Sequence, residues 1–283
     1  EFWCIQKLYP VGVSNTKSDS SSSFGGNCFG VERSDKRPFT ISSADGSDGN
    51  DLVVIQDVVK NLANLPPFAP DNHIVKVQTK EGNEDSVYWL QATRPEDGDK
   101  DGSTIRWEEC VAQGETLGFD KSTMPHQLVN QADGSFVLSK GEWDNRRVGD
   151  EKTNPMPSFV DNTISNIGMF KNRLLFNSDE AAIFTRTNLY FDFFRESTQV
   201  ISSDDPIDTF ADAEDINKLL HHTTLDGDLV FFAANGQFLI QGDKPLTSED
   251  TSFRKVTSYP INTHAKPVAT GESIMFAYQA GQY

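Results

Sequence analysis

The clearest candidate for chemistry in this sequence is an acidic segment that fits the template of a calcium-binding loop. Asp97, Asp99 and Asp101 stand at alternate positions, Gly102 follows them, and Glu108 closes the pattern. Calcium binds hard oxygen ligands, so alternating carboxylates, a glycine turn and a final glutamate suit it. The flanking residues look like strands, whereas an EF-hand needs helices on both sides. We therefore expect an acidic hairpin loop without metal or cofactor, and we keep a calcium site as the alternative.

Two further groups have the residue types of a catalytic or metal site. Asp204, Asp205 and Asp208 surround a proline and offer paired carboxylates for acid–base chemistry. Aspartates in such a turn more often accept hydrogen bonds from the backbone, and we expect that role here. His221 and His222 are adjacent, so on a strand they point to opposite faces and cannot share a metal ion. We expect no catalytic residues and no enzyme activity.

A third pattern mixes arginine with phenylalanine. Arg173 and Arg186 alternate with Phe170, Phe176 and Phe184, which is compatible with a platform for stacking nucleic-acid bases. The same alternation is typical of strands with one buried face, where phenylalanine points inward and arginine outward. We expect the second arrangement, with outward arginines that pair with acidic groups of a neighbouring subunit.

The elements that would position these residues are short strands separated by turn residues, which predicts a mostly β protein built as a sandwich, barrel or propeller. The expected strands span 73–79, 86–93, 104–111, 135–139, 164–170, 173–176, 181–185, 229–233, 237–241, 252–257 and 273–278. One short helix is predicted over about 52–64, where apolar residues recur at helical spacing after Asp51. Trp89 and Trp107 are expected to face one small core.

Charge and cysteine content exclude several classes of protein. With 42 acidic and 25 basic residues, the net charge is −17, which argues against a protein that grips nucleic acid through its phosphates. The ordinary explanation of this charge is solubility. Cys4, Cys28 and Cys110 are odd in number and lack metal-site spacing, so neither disulfides nor zinc are expected. No apolar run is long enough to span a membrane as a helix.

A series of motifs, taken in order and spacing, resembles the nozzle proteins, also called tail tubular protein B, of short-tailed podoviruses. The resemblance covers about residues 38–283, and its motifs are Gly118 to His126, Asn154-Pro155-Met156-Pro157, Arg173-Leu174-Leu175-Phe176, Tyr190-Phe191-Asp192-Phe193-Phe194 and Asp204-Asp205-Pro206-Ile207-Asp208.

The resemblance implies a structural protein of the virion tail, assembled in the host cytoplasm. It implies a homo-hexameric nozzle below the tail adaptor, or gatekeeper, with tail fibres at its side. Viral DNA would be ejected through the channel without sequence readout. A calcium-dependent carbohydrate-binding or glycan-hydrolysing β module is the alternative function.

The resemblance also favours a β-propeller-like region after residue 152, whereas the expected character of the first residues rests on their serine-rich composition. Residues 1–37 would be a flexible, serine-rich N-terminal segment of a β domain, and residues 38–152 a β-rich domain with the helix. Residues 153–283 would be a truncated propeller-like core. Because the chain starts at Glu1 and stops within a strand-like segment, we expect a fragment of a longer polypeptide.

Overall fold

The structure, a computed structural model, describes residues 2–7, 28–32, 52–56, 58–65, 69, 72–79, 87–93, 105–211 and 217–278. The chain divides into two compact units: unit 1 is Glu1–Glu115 with Val148–Thr153, and unit 2 is Thr116–Arg147 with Asn154–Tyr283. The segment boundaries expected after residues 37 and 152 stay predictions. Nearly every regular element in the described residues is a strand, which confirms the mostly β prediction.

Unit 1 contains two small sheets. The first is antiparallel in the order β2-β1-β3, formed by β1 (Phe2–Lys7), β2 (Cys28–Glu32) and β3 (Leu52–Gln56). The second has the order β4-β5-β6-β7, and its strands are β4 (Val58–Val59), β5 (Ile74–Gln78), β6 (Val87–Thr93) and β7 (Arg106–Glu109). Its core contains Val59, Val75, Val77, Tyr88, Leu90, Ala92 and Ile105.

The helix predicted over residues 52–64 is wrong. That segment holds β3 and β4, and only Leu62–Asn64 forms a short 3₁₀ turn, capped by the Asn61 side chain. Five of its residues are β-branched, and their stiff side chains favour extended backbone over helix. Both strands also find partners, since β3 pairs with β1 and β4 runs parallel to β5. Helical spacing of apolar residues was therefore misleading here.

The two tryptophans of unit 1 do not share a core, contrary to expectation. Trp107 packs against the core of the β4–β7 sheet. Trp89 instead donates its indole N–H to Asp150 Oδ2 at 3.2 Å, and Lys76 Nζ lies 5.8 Å from its ring centroid. Trp89 lies next to Tyr88 and Leu90, which are core residues, so the alternation of the strand turns it to the other face.

Unit 2 contains two four-stranded antiparallel sheets, each connected in simple up-and-down order. The first comprises β10 (Ile164–Phe170), β11 (Arg173–Ser178), β12 (Ala181–Phe184) and β13 (Ile207–Phe210). The second comprises β14 (Leu219–Leu225), β15 (Asp228–Ala233), β16 (Gly236–Ile240) and β17 (Arg254–Thr257). Two hairpins flank them: β8 (His126–Asn130) with β9 (Phe136–Lys140), and β18 (Val268–Thr270) with β19 (Ser273–Met275).

Tight turns fix the register of the strands. Lys171 and Asn172 have φ angles of 46° and 59°, and Asp226 and Gly227 have 50° and 88°. Positive φ at both central residues is the geometry of a type I′ turn, which matches the twist of antiparallel strands. These turns join β10 to β11 and β14 to β15.

The two central strands of the β10–β13 sheet, β11 and β12, are buried on both faces. One face packs against the β14–β17 sheet, and the shared core includes Leu175, Phe184, Leu219, Phe231 and Phe238. The opposite face meets an aromatic cluster, which we call the aromatic layer: Met124, Trp143, Phe159, Phe176, Ile183 and Phe193. Antiparallel sheets often leave one face to solvent, and polar side chains then lie on that face. Where both faces are covered, as here, polar side chains are buried as well as apolar ones.

Two successive up-and-down sheets that pack face to face resemble neighbouring propeller blades. A propeller closes with about four to eight blades. The described part of the chain forms no closed ring of blades, so the expected propeller is not confirmed.

Candidate functional site

Arg173, the first residue of β11, lies at the centre of a buried polar network in unit 2. Its side chain is enclosed, with 1% of the residue exposed. The guanidinium donates to the carbonyl oxygens of Thr185 and Asp205 at 2.7 Å each, of Ser203 at 2.8 Å and of Leu246 at 3.2 Å. Burial lowers the pKa of Arg173, although arginine stays charged in proteins. One side chain thus fixes the long β12–β13 connection and the chain after β16.

Arg186 organises the acidic part of the same connection. Its Nη2 donates to Glu196 Oε2 and to Asp204 Oδ2, at 2.6 Å each, and Asp192 Oδ2 lies 3.6 Å from Nη1. Burial lowers the pKa of Arg186, but the hydrogen bonds that it donates to Asp204 and Glu196 outweigh this effect and leave the pKa raised. The hydroxyl of Ser202 and Arg186 together lower the pKa of Asp204. Arg186 and the acidic side chains that balance its charge therefore belong to the same chain.

The aromatic run from Tyr190 to Phe194 contributes both rings and a carboxylate. Phe193 enters the aromatic layer, and Phe194 is buried as well. Asp192 comes just before them and accepts hydrogen bonds from Phe194 N at 3.0 Å and Arg147 Nη2 at 2.9 Å. Burial raises the pKa of Asp192, and the neighbouring arginines act in the opposite direction. In this run the phenylalanine rings fill the core, and the single carboxylate, Asp192, neutralises arginine.

The three aspartates of the proline turn have different partners, as a structural turn requires. Asp205 Oδ2 accepts from Ser202 N at 3.0 Å and from Arg195 Nε at 3.2 Å. Asp208 Oδ2 accepts from both the backbone and the hydroxyl of Ser158, at 2.7 Å each. These contacts agree with aspartates that brace a turn.

The Asn154-Pro155-Met156-Pro157 motif joins the network from another part of the chain. Asn154 Oδ1 accepts from Arg195 N at 3.1 Å, and the carbonyl of Asn154 accepts from Arg146 Nη1 at 3.0 Å. Arg146 is itself buried and also donates to Thr116 O at 2.6 Å. The network consequently ties together segments that are far apart in sequence.

The outward direction predicted for Arg173 and Arg186 is wrong. Both side chains point into unit 2 and use their donors on partners within the same chain. The alternation argument assumed a sheet with one solvent face, but the central strands of this sheet are covered on both sides. The predicted pairing of these arginines with a neighbouring subunit is therefore wrong as well.

The candidate calcium ligands are only partly placed. Asp97, Asp99 and Asp101 lie outside the described residues, so the calcium loop stays untested. Glu108 lies on β7 at the surface, where its Oε1 is 3.5 Å from Arg106 Nη1 and its Oε2 accepts from Thr93 Oγ1 at 3.4 Å. The part of the chain that the structure describes contains no group of three or more acidic, histidine or cysteine side chains placed to hold a metal ion.

Comparison with known proteins explains why these motifs occur together. The family described as bacteriophage nozzle protein matches residues 5–283. The chain belongs to the bacteriophage nozzle protein family. It is therefore a structural component of the phage tail. This agrees with the resemblance drawn from the motif series and does not favour the carbohydrate-binding alternative.

This protein is also similar to a curated relative, tail tubular protein gp12 of Escherichia phage T7. The two are 30% identical over 238 residues, which cover 84% of this chain and 29% of the relative. The chain thus spans less than a third of the relative's length. Of the residues described, none lies in a helix long and apolar enough to cross a membrane.

Sequence reasoning missed a second contact, partly buried, between the two sheets of unit 2. His222 on β14 was expected to be an ordinary strand residue. Its ring lies against Gly168 of β10, and its Nδ1 is 3.2 Å from Asn177 Oδ1. A Cβ on Gly168 would overlap the imidazole. A glycine inside a strand pattern was the available signal, because it often marks a close approach.

His222 is expected to make stability depend on pH. Burial lowers its pKa to about 4 from 6.5, and the charges of Lys266 and His221 act in the same direction. Between these values the unfolded chain binds the extra proton, so stability is complete above the higher pKa and falls as pH decreases. We expect a loss of about 2 kcal/mol between about pH 7.5 and pH 5 from this group alone. Urea unfolding at both pH values would measure it.

His222→Gln is the matched control for that measurement. Glutamine keeps a hydrogen-bonding side chain and cannot titrate, so the difference between parent and variant isolates His222 from the carboxylates. Equal pH dependence in the two proteins would contradict the prediction.

Proposed function

We propose that copies of this chain form the wall of a hexameric nozzle, below the tail adaptor and beside the tail fibres, through which genomic DNA leaves the virion. The family match over residues 5–283 is the observation that carries the proposal. The relative from phage T7 is named a tail tubular protein, which is consistent with a tube built from repeated subunits.

The buried network supports a structural role within such a wall. The family's motif residues in unit 2 use their charged groups to fix long connections rather than to present them to a substrate. Arg173 alone links three segments through carbonyl oxygens. A subunit that keeps its shape beside moving DNA needs connections of this kind, because long loops are otherwise the most mobile parts of a β protein. The two packed up-and-down sheets also suit a propeller-like region in the complete protein.

The proposal is tested by measuring the mass of the full-length protein and imaging it by electron microscopy. Both measurements should be made on the protein alone and mixed with the adaptor protein encoded beside it. A sixfold ring with a central channel, in either condition, is the expected result. Monomers in both conditions would contradict the ring.

The assembled ring is expected not to bind double-stranded DNA measurably. The net charge of −17 repels phosphates, so DNA can slide through the channel without being held. Fluorescence anisotropy of a labelled duplex at about 0.15 M salt should show no binding at micromolar protein. Micromolar or tighter binding that weakens steeply with salt would show a phosphate grip and contradict this prediction.

A further inference from the structure

We propose that the β8–β9 hairpin is the surface through which one copy of this chain contacts the next. This inference rests on the proposed ring and adds the part of the subunit that builds it. The hairpin comprises His126–Asn130 and Phe136–Lys140, joined by a turn in which Asp133 Oδ1 accepts from Ser135 N at 2.9 Å.

The hairpin is firmly anchored at its base and exposed beyond it. Met124 comes just before β8 and Trp143 just after β9, and both are buried in the aromatic layer. Between them, nearly every residue of the two strands is exposed. The hairpin therefore projects from unit 2 while its root is fixed, as a docking element requires.

Both faces of the projecting hairpin carry exposed apolar side chains. Leu128 pairs with Leu138 across the strands, with exposures of 63% and 68%, and Phe136 on the same face is 63% exposed. Val129 pairs with Val137 on the opposite face, and both are exposed. A solvent-facing strand pair normally carries at least one polar face. An isolated two-stranded hairpin is marginally stable in water, so this one needs a covering surface.

The hairpin also has open edges. Among the strands that the structure describes, β8 and β9 pair only with each other. Each therefore presents unpaired backbone groups along one side. A strand or loop of a neighbour can add to such an edge, and the apolar side chains then supply the packing.

Charge indicates that the covering surface belongs to a second copy. Identical chains of charge −17 repel one another, so they must meet through surface that carries few acidic groups. From His126 to Lys140 the hairpin carries only two charged residues, Asp133 in the turn and Lys140 at the end, in a chain with 67 aspartate, glutamate, lysine and arginine residues among 283. Contact through the hairpin buries apolar side chains without bringing like charges together.

Ring closure sets the type of contact. A cyclic assembly with more than two subunits needs a heterologous interface, in which one surface meets a different surface of the next subunit. A projecting hairpin suits this arrangement because it can reach outward from one copy onto the body of its neighbour. Each subunit would then donate one hairpin and receive one.

The test replaces the exposed leucine pair without changing charge. Leu128→Thr with Leu138→Thr keeps strand-forming residues and removes apolar contact area. The matched control is Val200→Thr with Met275→Thr, at sites 65% and 63% exposed elsewhere in unit 2. Full-length proteins would be compared by analytical ultracentrifugation, in whichever condition the parent forms a ring. We expect assembly to weaken at least about tenfold for the hairpin variant and to stay unchanged for the control.

A second measurement keeps the result independent of folding defects. A photo-crosslinking amino acid at Phe136 should yield covalent dimers and higher ladders on irradiation, whereas the same group at Val200 should not. Circular dichroism and melting curves would confirm that all variants are folded.

The outcomes separate the hairpin from the ring. Loss of assembly in the hairpin variant, with crosslinking at Phe136, supports the proposal. A ring that persists in that variant and gives no crosslink overturns the hairpin interface and leaves the nozzle proposal standing. A crosslink within one chain, or to the adaptor, assigns another occupant and overturns it as well. A parent that forms no ring in either condition refutes both.

Discussion

Replacing Arg173 with methionine is expected to lower the free energy of unfolding by about 3–5 kcal/mol. Methionine fills much of the same volume but donates no hydrogen bonds. The carbonyl oxygens of Thr185, Ser203, Asp205 and Leu246 would then lose the donor that satisfies them in a buried site. Urea unfolding, monitored by tryptophan fluorescence in the region of the buried Trp143, would measure the loss of unfolding free energy. Each variant would be compared at the same pH.

Two further variants separate this mechanism from a general effect of charge. Arg254→Met removes an exposed arginine from β17 and should change stability by no more than about 0.5 kcal/mol. Arg173→Lys keeps the positive charge but lacks the planar fork that reaches several carbonyls, so most of the loss should remain. If the free energy of unfolding of Arg173→Met lies within about 1 kcal/mol of the parent value, the network does not stabilise unit 2 as described.

Gly168→Ala is expected to cost about 3 kcal/mol, which is large for the addition of one methyl group. The new Cβ would overlap the His222 ring, so either the ring or the β10 backbone must move. The backbone is constrained because Gly168 pairs with Leu175 on β11. Thermal and urea unfolding would both reveal the change.

A double variant identifies the cause. His222→Ala removes the ring that Gly168→Ala would strike, so the two substitutions together should cost clearly less than the sum of their separate costs. Gly134→Ala is the control: nothing lies within 4 Å of its Cβ position, and its φ of 83° accounts for a cost of only about 1 kcal/mol. Strict additivity at Gly168 and His222 would contradict the contact.

Local sequence pattern predicted many strands well. The prediction of 164–170 matches β10, Ile164–Phe170, because an apolar run ends there at a two-residue turn. Strand β14, Leu219–Leu225, was not among the predicted strand ranges, although His221 and His222 were expected to be strand neighbours. Its histidines and threonines look solvent-facing, and the packing of the His222 ring depends on Gly168 in another sheet, more than fifty residues away. Non-local contacts of this kind leave little trace in a short window.

The candidate site was predicted in location but not in arrangement. The motif series indicated the family and selected the segments that meet in the network. The inward direction of Arg173 and Arg186 could not be predicted, because it follows from the second covering layer over the sheet. Arg146 was not predicted to be a site residue, because an arginine beside Arg147 has no distinctive pattern. It is nevertheless buried and donates hydrogen bonds to the carbonyl oxygens of Thr116 and Asn154.

The span of the Arg173 contacts has a kinetic consequence. Its bond to Leu246 joins residues 73 positions apart, so we expect it to form late in folding. Interactions that form late in folding have little effect on the folding rate and act mainly by slowing unfolding. A virion can wait a long time between its assembly and its next host. For such a particle, the lifetime of each folded subunit matters more than how quickly it folded, and a late-closing arginine network prolongs that lifetime.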